Sequence, residues 1–153
     1  MREIKFRAWY KYGKKMVDLY KITPLAVADH NGTLDGLFLP FDNNMILMQF
    51  TGLKDKNGKE IYEGDVVILR CHVSAGYYED RYDIDMDFTG GVVILPSMGA
   101  CIKNPIWVDN MDDRHGKNQG YKNIRGYRSE VIGNIYENPE LISPKTDSTP
   151  NRI

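Results

Sequence analysis

The chain opens on an alternation. Ile4, Phe6 and Ala8 alternate with Lys5, Arg7 and Trp9, the period-two pattern of a half-buried strand. The stretch KYGKK (11–15) supplies a glycine-containing turn, and MVDLYKI (16–22) returns as a second strand. Residues 25–39 place Asn31-Gly32 between apolar runs, which predicts a second hairpin. The competing reading there is a short helix opened by Thr23-Pro24 and running through residue 28, since Thr caps well and Pro suits the first helical position. MILMQF (45–50) is continuously apolar, as a strand buried on both faces would be. VVILR (66–70), VVILP (92–96), IWV (106–108) and EVIGNIY (130–136) are further strand candidates. Few segments show a 3.6-residue period, so the expected class is mainly β, with a small closed barrel or sandwich between residues 45 and 136. Asn138-Pro139-Glu140 predicts one short helical turn. From residue 143 the chain reads SPKTDSTPNRI, with two prolines, which predicts a frayed tail.

The densest stretch is MQFTGLKDKNGKEIYEGDVV (48–67). Asn57-Gly58 predicts a type I′ hairpin turn, which needs positive φ at both central residues. Leu53 before the turn and Ile61 after it would then share a face. Gly64 suits a positive φ, and Asp65 can accept backbone N–H groups in the bend before the next strand. Glu63 and Asp65, two residues apart, are the other reading: a carboxylate pair for acid–base or metal chemistry. No His, Cys or third carboxylate stands near them in sequence, so turn architecture is the preferred reading.

Charge adds detail rather than direction. The net charge of −1 argues against a protein that coats nucleic acid through bulk electrostatics. Locally, Asp83, Asp85 and Asp87 alternate along DIDMDF. Such carboxylates could bind a hard cation, but Phe88 stands where an EF-hand loop needs Gly and Ile94 where it needs Glu, so a solvated strand face is preferred. Asp109, Asp112, Asp113 and His115 cluster in a way that loops also produce without a metal. The segment 114–128 carries Arg114, Lys117, Lys122, Arg125 and Arg128 interleaved with Tyr121 and Tyr127 and has no acid. Basic groups contact phosphates and rings stack on bases, so these seven residues form the candidate nucleic-acid or partner patch. A solvated loop is the competing reading. Arg2, Lys5, Arg7, Lys11, Lys14 and Lys15 could extend that patch or line the polar face of a hairpin.

No P-loop, HExxH, GxGxxG or nucleophile elbow occurs, so no catalytic residue, cofactor or metal is expected. Cys71 and Cys101 sit in no metal-like spacing and read as reduced thiols. Met1-Arg2-Glu3-Ile4-Lys5 lacks the apolar run of a signal peptide, and no stretch approaches the roughly 18 apolar residues of a membrane span. The expectation is a cytoplasmic protein with no membrane contact.

Three phrases carry a resemblance: MREIKFRAWYKYGKKM, ILMQFTGLKDKNGKEIYEGDVV and EVIGNIYENPELI, in that order. The chain resembles the YopX family of phages and prophages of Gram-positive bacteria. It departs from the family's usual acidic residue after Ala-Trp, having Tyr10 instead. The resemblance implies a β-rich N-terminal portion and an SH3-like barrel, and supplies no catalytic residues. The expected organisation is therefore an N-terminal β-hairpin region (1–44), an SH3-like barrel (45–138) and a short turn with a flexible tail (139–153). The expected function is a non-enzymatic accessory protein that self-associates as a homo-oligomer and meets a further protein. The alternative is a nucleic-acid-binding barrel.

Overall fold

A computed structural model describes residues 5–22, 27–29, 37–38, 45–76, 79, 82–111 and 114–143. The chain is mainly β, and its larger sheet curls into a half-barrel. The strands are β1 (Phe6–Tyr10), β2 (Lys15–Ile22), β3 (Val27–Asp29), β4 (Leu37–Phe38), β5 (Met45–Lys54), β6 (Glu60–Tyr62), β7 (Asp65–Ala75), β8 (Tyr82–Leu95), β9 (Gly99–Asp109), β10 (His115–Lys117), β11 (Tyr121–Asn123) and β12 (Ser129–Asn134). Short 3-10 turns lie before β12 at Gly126–Arg128 and after it at Pro139–Ile142. The second of these is the helical turn expected at Asn138-Pro139-Glu140. Among the described residues no helix is long and apolar enough to cross a membrane.

One sheet runs β4-β3-β2-β1-β5-β6. The β1–β2 hairpin pairs Tyr10 with Lys15, and the left-handed residue in its turn is Lys14 (φ 48°). The expected second hairpin is present as β3 paired with β4; its Asn31-Gly32 tip lies outside the described residues. β1 pairs with β5 on its other side, so this sheet crosses residue 44. The other sheet runs β10-β9-β8-β7-β12, with β11 also on β9. Every pairing in both sheets is antiparallel.

The strands of the second sheet outrun the apolar clusters that signalled them. β8 starts ten residues before VVILP, and DIDMDF is extended because β7 pairs with it from Val66↔Gly91 to Ala75↔Tyr82. The segment 114–128 is not a loop: β10 and β11 both pair with β9. Near Gly90-Gly91 the β8–β9 register shifts. A Cβ at Gly90 would come within 2.2 Å of the Ile102 side chain, so only glycine lets the strands approach this closely where the sheet curls.

The core lies between the concave side of this sheet and the β5–β6 end of the first. Ile61, Val67, Leu69, Phe88, Val92, Ala100, Ile102 and Ile124 form it, with Leu53 and Trp107 packed against its margin. Leu53 and Ile61 thus face the same core. A second contact joins the chain's two ends: Trp9 stacks on Tyr136 at 6.0 Å with the rings 17° apart. The aromatic arm therefore packs on its own chain, and both faces of β1 are covered, with Ala8 and Trp9 buried.

Candidate interaction site

The hairpin tip of the 48–67 stretch does not form the expected type I′ turn. Gly58 donates its N–H to the Asp55 carbonyl at 3.0 Å and alone takes positive φ (83°); Asn57 does not. That is a three-residue hairpin loop closed by a left-handed glycine. Asp55 accounts for the difference. Its carboxylate accepts N–H groups from Asn57 and Lys59 (both 2.9 Å) and from Val131 on β12 (3.0 Å). Burial pushes its pKa up, but these three amides outweigh that and hold it below the ordinary value.

Asp55 thereby ties the tip to the segment that carries Tyr127. Lys56 donates its N–H to the Ser129 carbonyl at 2.9 Å, and the Ser129 hydroxyl donates to the Arg125 carbonyl at 2.7 Å. Gly126 lies against the Lys54 carbonyl so closely that a Cβ there would sit 2.2 Å from the oxygen. With its neighbours fixed, Tyr127 projects into solvent at 65% exposure. The Arg128 guanidinium lies 5.4 Å from its ring centre, and Arg125 Nη1 donates to its hydroxyl at 3.5 Å. That bond and the Arg128 charge lower the Tyr127 pKa. An open groove of about 600 Å³ runs beside it, lined by Lys56, Arg70, His72, Asp85, Asp87 and Arg128 among others. Its charges are interleaved: Lys56 pairs with Glu130 (3.0 Å), Arg70 lies 3.8 Å from Asp87, and His72 meets Asp85 at 2.5 Å.

The structure divides the seven-residue patch. Arg125, Tyr127 and Arg128 stand together at this corner. Lys122 lies 4.4 Å over the Phe88 ring, at the core's edge. Arg114 reaches Asp109 at 3.6 Å. Tyr121 is exposed on β11, and Lys117 on β10 lines a separate cavity. Lys56 and Arg70, distant in sequence, join the corner through the hairpin and β7.

The acidic candidates do not assemble. Asp85 and Asp87 face His72 and Arg70, and the side chain of Asp83 lies outside the described residues. Asp109 is buried and accepts the Met111 N–H at 3.0 Å. Asp112 and Asp113 lie outside the described residues. Among the described residues no group of three or more His, Cys, Asp or Glu converges. Cys71 and Cys101 are free, and burial raises the Cys101 thiol pKa.

Glu63 and Asp65 part company. Glu63 accepts the Gln49 N–H at 3.0 Å. Asp65, 1% exposed, accepts the Tyr62 N–H at 2.8 Å and pairs with Arg7. Gly64 takes φ 82°, as the sequence suggested. Arg7 is a correction: it joins no basic surface but is largely buried, its guanidinium 4.6 Å from the Tyr62 ring centre and its Nε without a hydrogen-bond partner. The available signal was Trp9, which shares Arg7's side of β1 and is too large to leave in water.

No curated protein matches the chain. The crystal structure of protein EF1440 from Enterococcus faecalis is similar over 94% of this chain and 100% of that one, with 24% identity and a TM-score of 0.51. That likeness concerns the fold. The model of the family described as YopX protein matches residues 5–143, nearly all of the chain, and the chain therefore belongs to the YopX family.

Proposed function

We propose that this YopX-family chain is a non-enzymatic phage or prophage accessory protein of the host cytoplasm. Built on an SH3-like half-barrel, it acts as a protein-interaction and self-assembly module whose contact surface is the Tyr127 corner. The observation that carries this reading is Tyr127, held in solvent between Arg125 and Arg128 on a turn clamped by Gly126 and Ser129. Tyrosine and arginine are the residue types that dominate binding energy at protein interfaces, and a preorganised turn lowers the ordering cost of association. The interleaved acids and bases of the adjoining groove suit the mixed charge of a protein surface. Sedimentation over a wide concentration range tests this. Self-association that Tyr127→Ala weakens by at least tenfold is expected, and a strict monomer at high concentration removes the self-assembly reading.

The same corner favours one second reading. A ring flanked by two guanidinium groups is also a stacking platform for a base beside phosphate contacts. It predicts salt-dependent binding of single-stranded DNA or RNA, which Arg125→Ala and Arg128→Ala reduce. No binding at low salt eliminates it.

A further inference from the structure

Where β8 curls, the structure holds a cavity of about 200 Å³ between β8, β9 and the segment that follows β12. Val93, Ile106, Ile135 and Ile142 give it apolar walls. Ile135 reaches it by packing on Gly91, where an added Cβ would lie 3.1 Å away. Two lysines also line it, Lys103 on β9 and Lys117 on β10. Lys103 stands opposite Gly91 in the sheet and Lys117 opposite Ile106, so neighbouring positions direct both to one mouth. Both are exposed. Among the described residues neither has a carboxylate partner, unlike Lys5, Lys56, Arg70 and Arg114. Two like charges beside an apolar hollow, with no counter-charge among the described residues, leave room for the one that an anion would bring.

We propose that this cavity binds a small amphiphilic carboxylate, with its apolar body among the isoleucines and its carboxylate between Lys103 and Lys117. The volume exceeds the roughly 150 Å³ of a dry cavity that accepts benzene and falls below the roughly 300 Å³ where drug-sized pockets begin. A short acyl chain or a single ring is therefore the right size. The site is separate from the Tyr127 corner and stands whether or not that corner binds a partner.

Octanoate and 1-octanol, titrated into the full chain and followed by amide NMR shifts, form the test. Saturable octanoate shifts at Gly91, Val93 and Ile106 are expected, with 1-octanol weaker. Lys103→Gln with Lys117→Gln, at two exposed positions that leave the walls intact, should weaken octanoate about tenfold and leave 1-octanol unchanged. The proposal is overturned by no saturable shift at those amides, by equal octanoate binding in the double variant, or by 1-octanol binding as tightly as octanoate.

Discussion

Arg7 and Asp65 show how far a single charged pair can depart from the pattern around it. By alternation Arg7 shares a face with Lys5 and with Trp9, and only Trp9, buried on that side of β1, hints locally that Arg7 is covered. Its burial comes from Tyr62, fifty-five positions along the chain, whose ring covers the guanidinium. Truncating one member of such a pair strands a buried charge, so Arg7→Ala or Asp65→Ala should cost about 3–5 kcal/mol in denaturant unfolding. Replacing both by apolar residues of similar size should cost much less. Tyr62 adds a pH signature. Burial, then the Glu60 charge, pushes its pKa up to about 12 from 10.0. A raised pKa gives stability that is whole below the unfolded value and lost as pH rises through the folded one. Thermal melts should therefore fall between pH 10 and pH 12, and Tyr62→Phe should flatten part of that fall while keeping the ring under Arg7. Asp55 works at the other end of the scale. Its lowered pKa stabilises the fold above the ordinary value of 3.8 and loses that effect as pH drops below it. Asp55→Asn should cost about 1.5–3 kcal/mol at neutral pH, with a smaller gap from wild type in melts near pH 3.

Among the elements, the longer strands were legible but their extent was not, and the short strands β10 and β11 in the segment 114–128 were missed. The apolar run at 66–70 marks the best-buried part of β7, whereas the runs at 92–96 and 106–108 only point to β8 and β9, whose best-buried residues lie nearby at Phe88 and Val92 and at Ala100, Cys101 and Ile102. Hydrogen bonding to a neighbour, which composition does not encode, carries β7 and β8 onward through charged residues. The tip at Asn57-Gly58 was legible as a turn but not as its class, because the buried Asp55 carboxylate that organises it is held partly by the Val131 N–H on another strand. The candidate corner was half legible. The 114–128 segment supplied Arg125, Tyr127 and Arg128, whereas Lys56 and Arg70 arrive only through tertiary packing. Two glycines separate the forces that shape this corner. Gly126→Ala would drive a Cβ into the Lys54 carbonyl and should cost about 3 kcal/mol, displacing Tyr127. Gly58→Ala meets no atom within 4 Å but keeps φ near 83°, and should cost about 1–2 kcal/mol. Equal melting temperatures for the two variants would contradict this division.

At the scale of the molecule, the two sheets depend on each other. The first sheet threads β1 between β2 and β5 and supplies β6 to the core of the second. A chain starting at residue 45 would leave Asp65 without Arg7 and Tyr136 without Trp9. Such a fragment should melt well below the full chain and bind a hydrophobic dye; a fragment as stable as the whole would show that the second sheet needs no help. The stacking of Trp9 on Tyr136 also sets a schedule for synthesis. At roughly 5–20 residues per second, the ribosome needs about 6–25 s after making Trp9 to produce its partner. Until then β1 emerges with its tryptophan uncovered, although β2 and β5 are already available to pair with it. The nascent N-terminal sheet must wait in water for the end of the chain to cover it, and this is when a chaperone would find it most exposed.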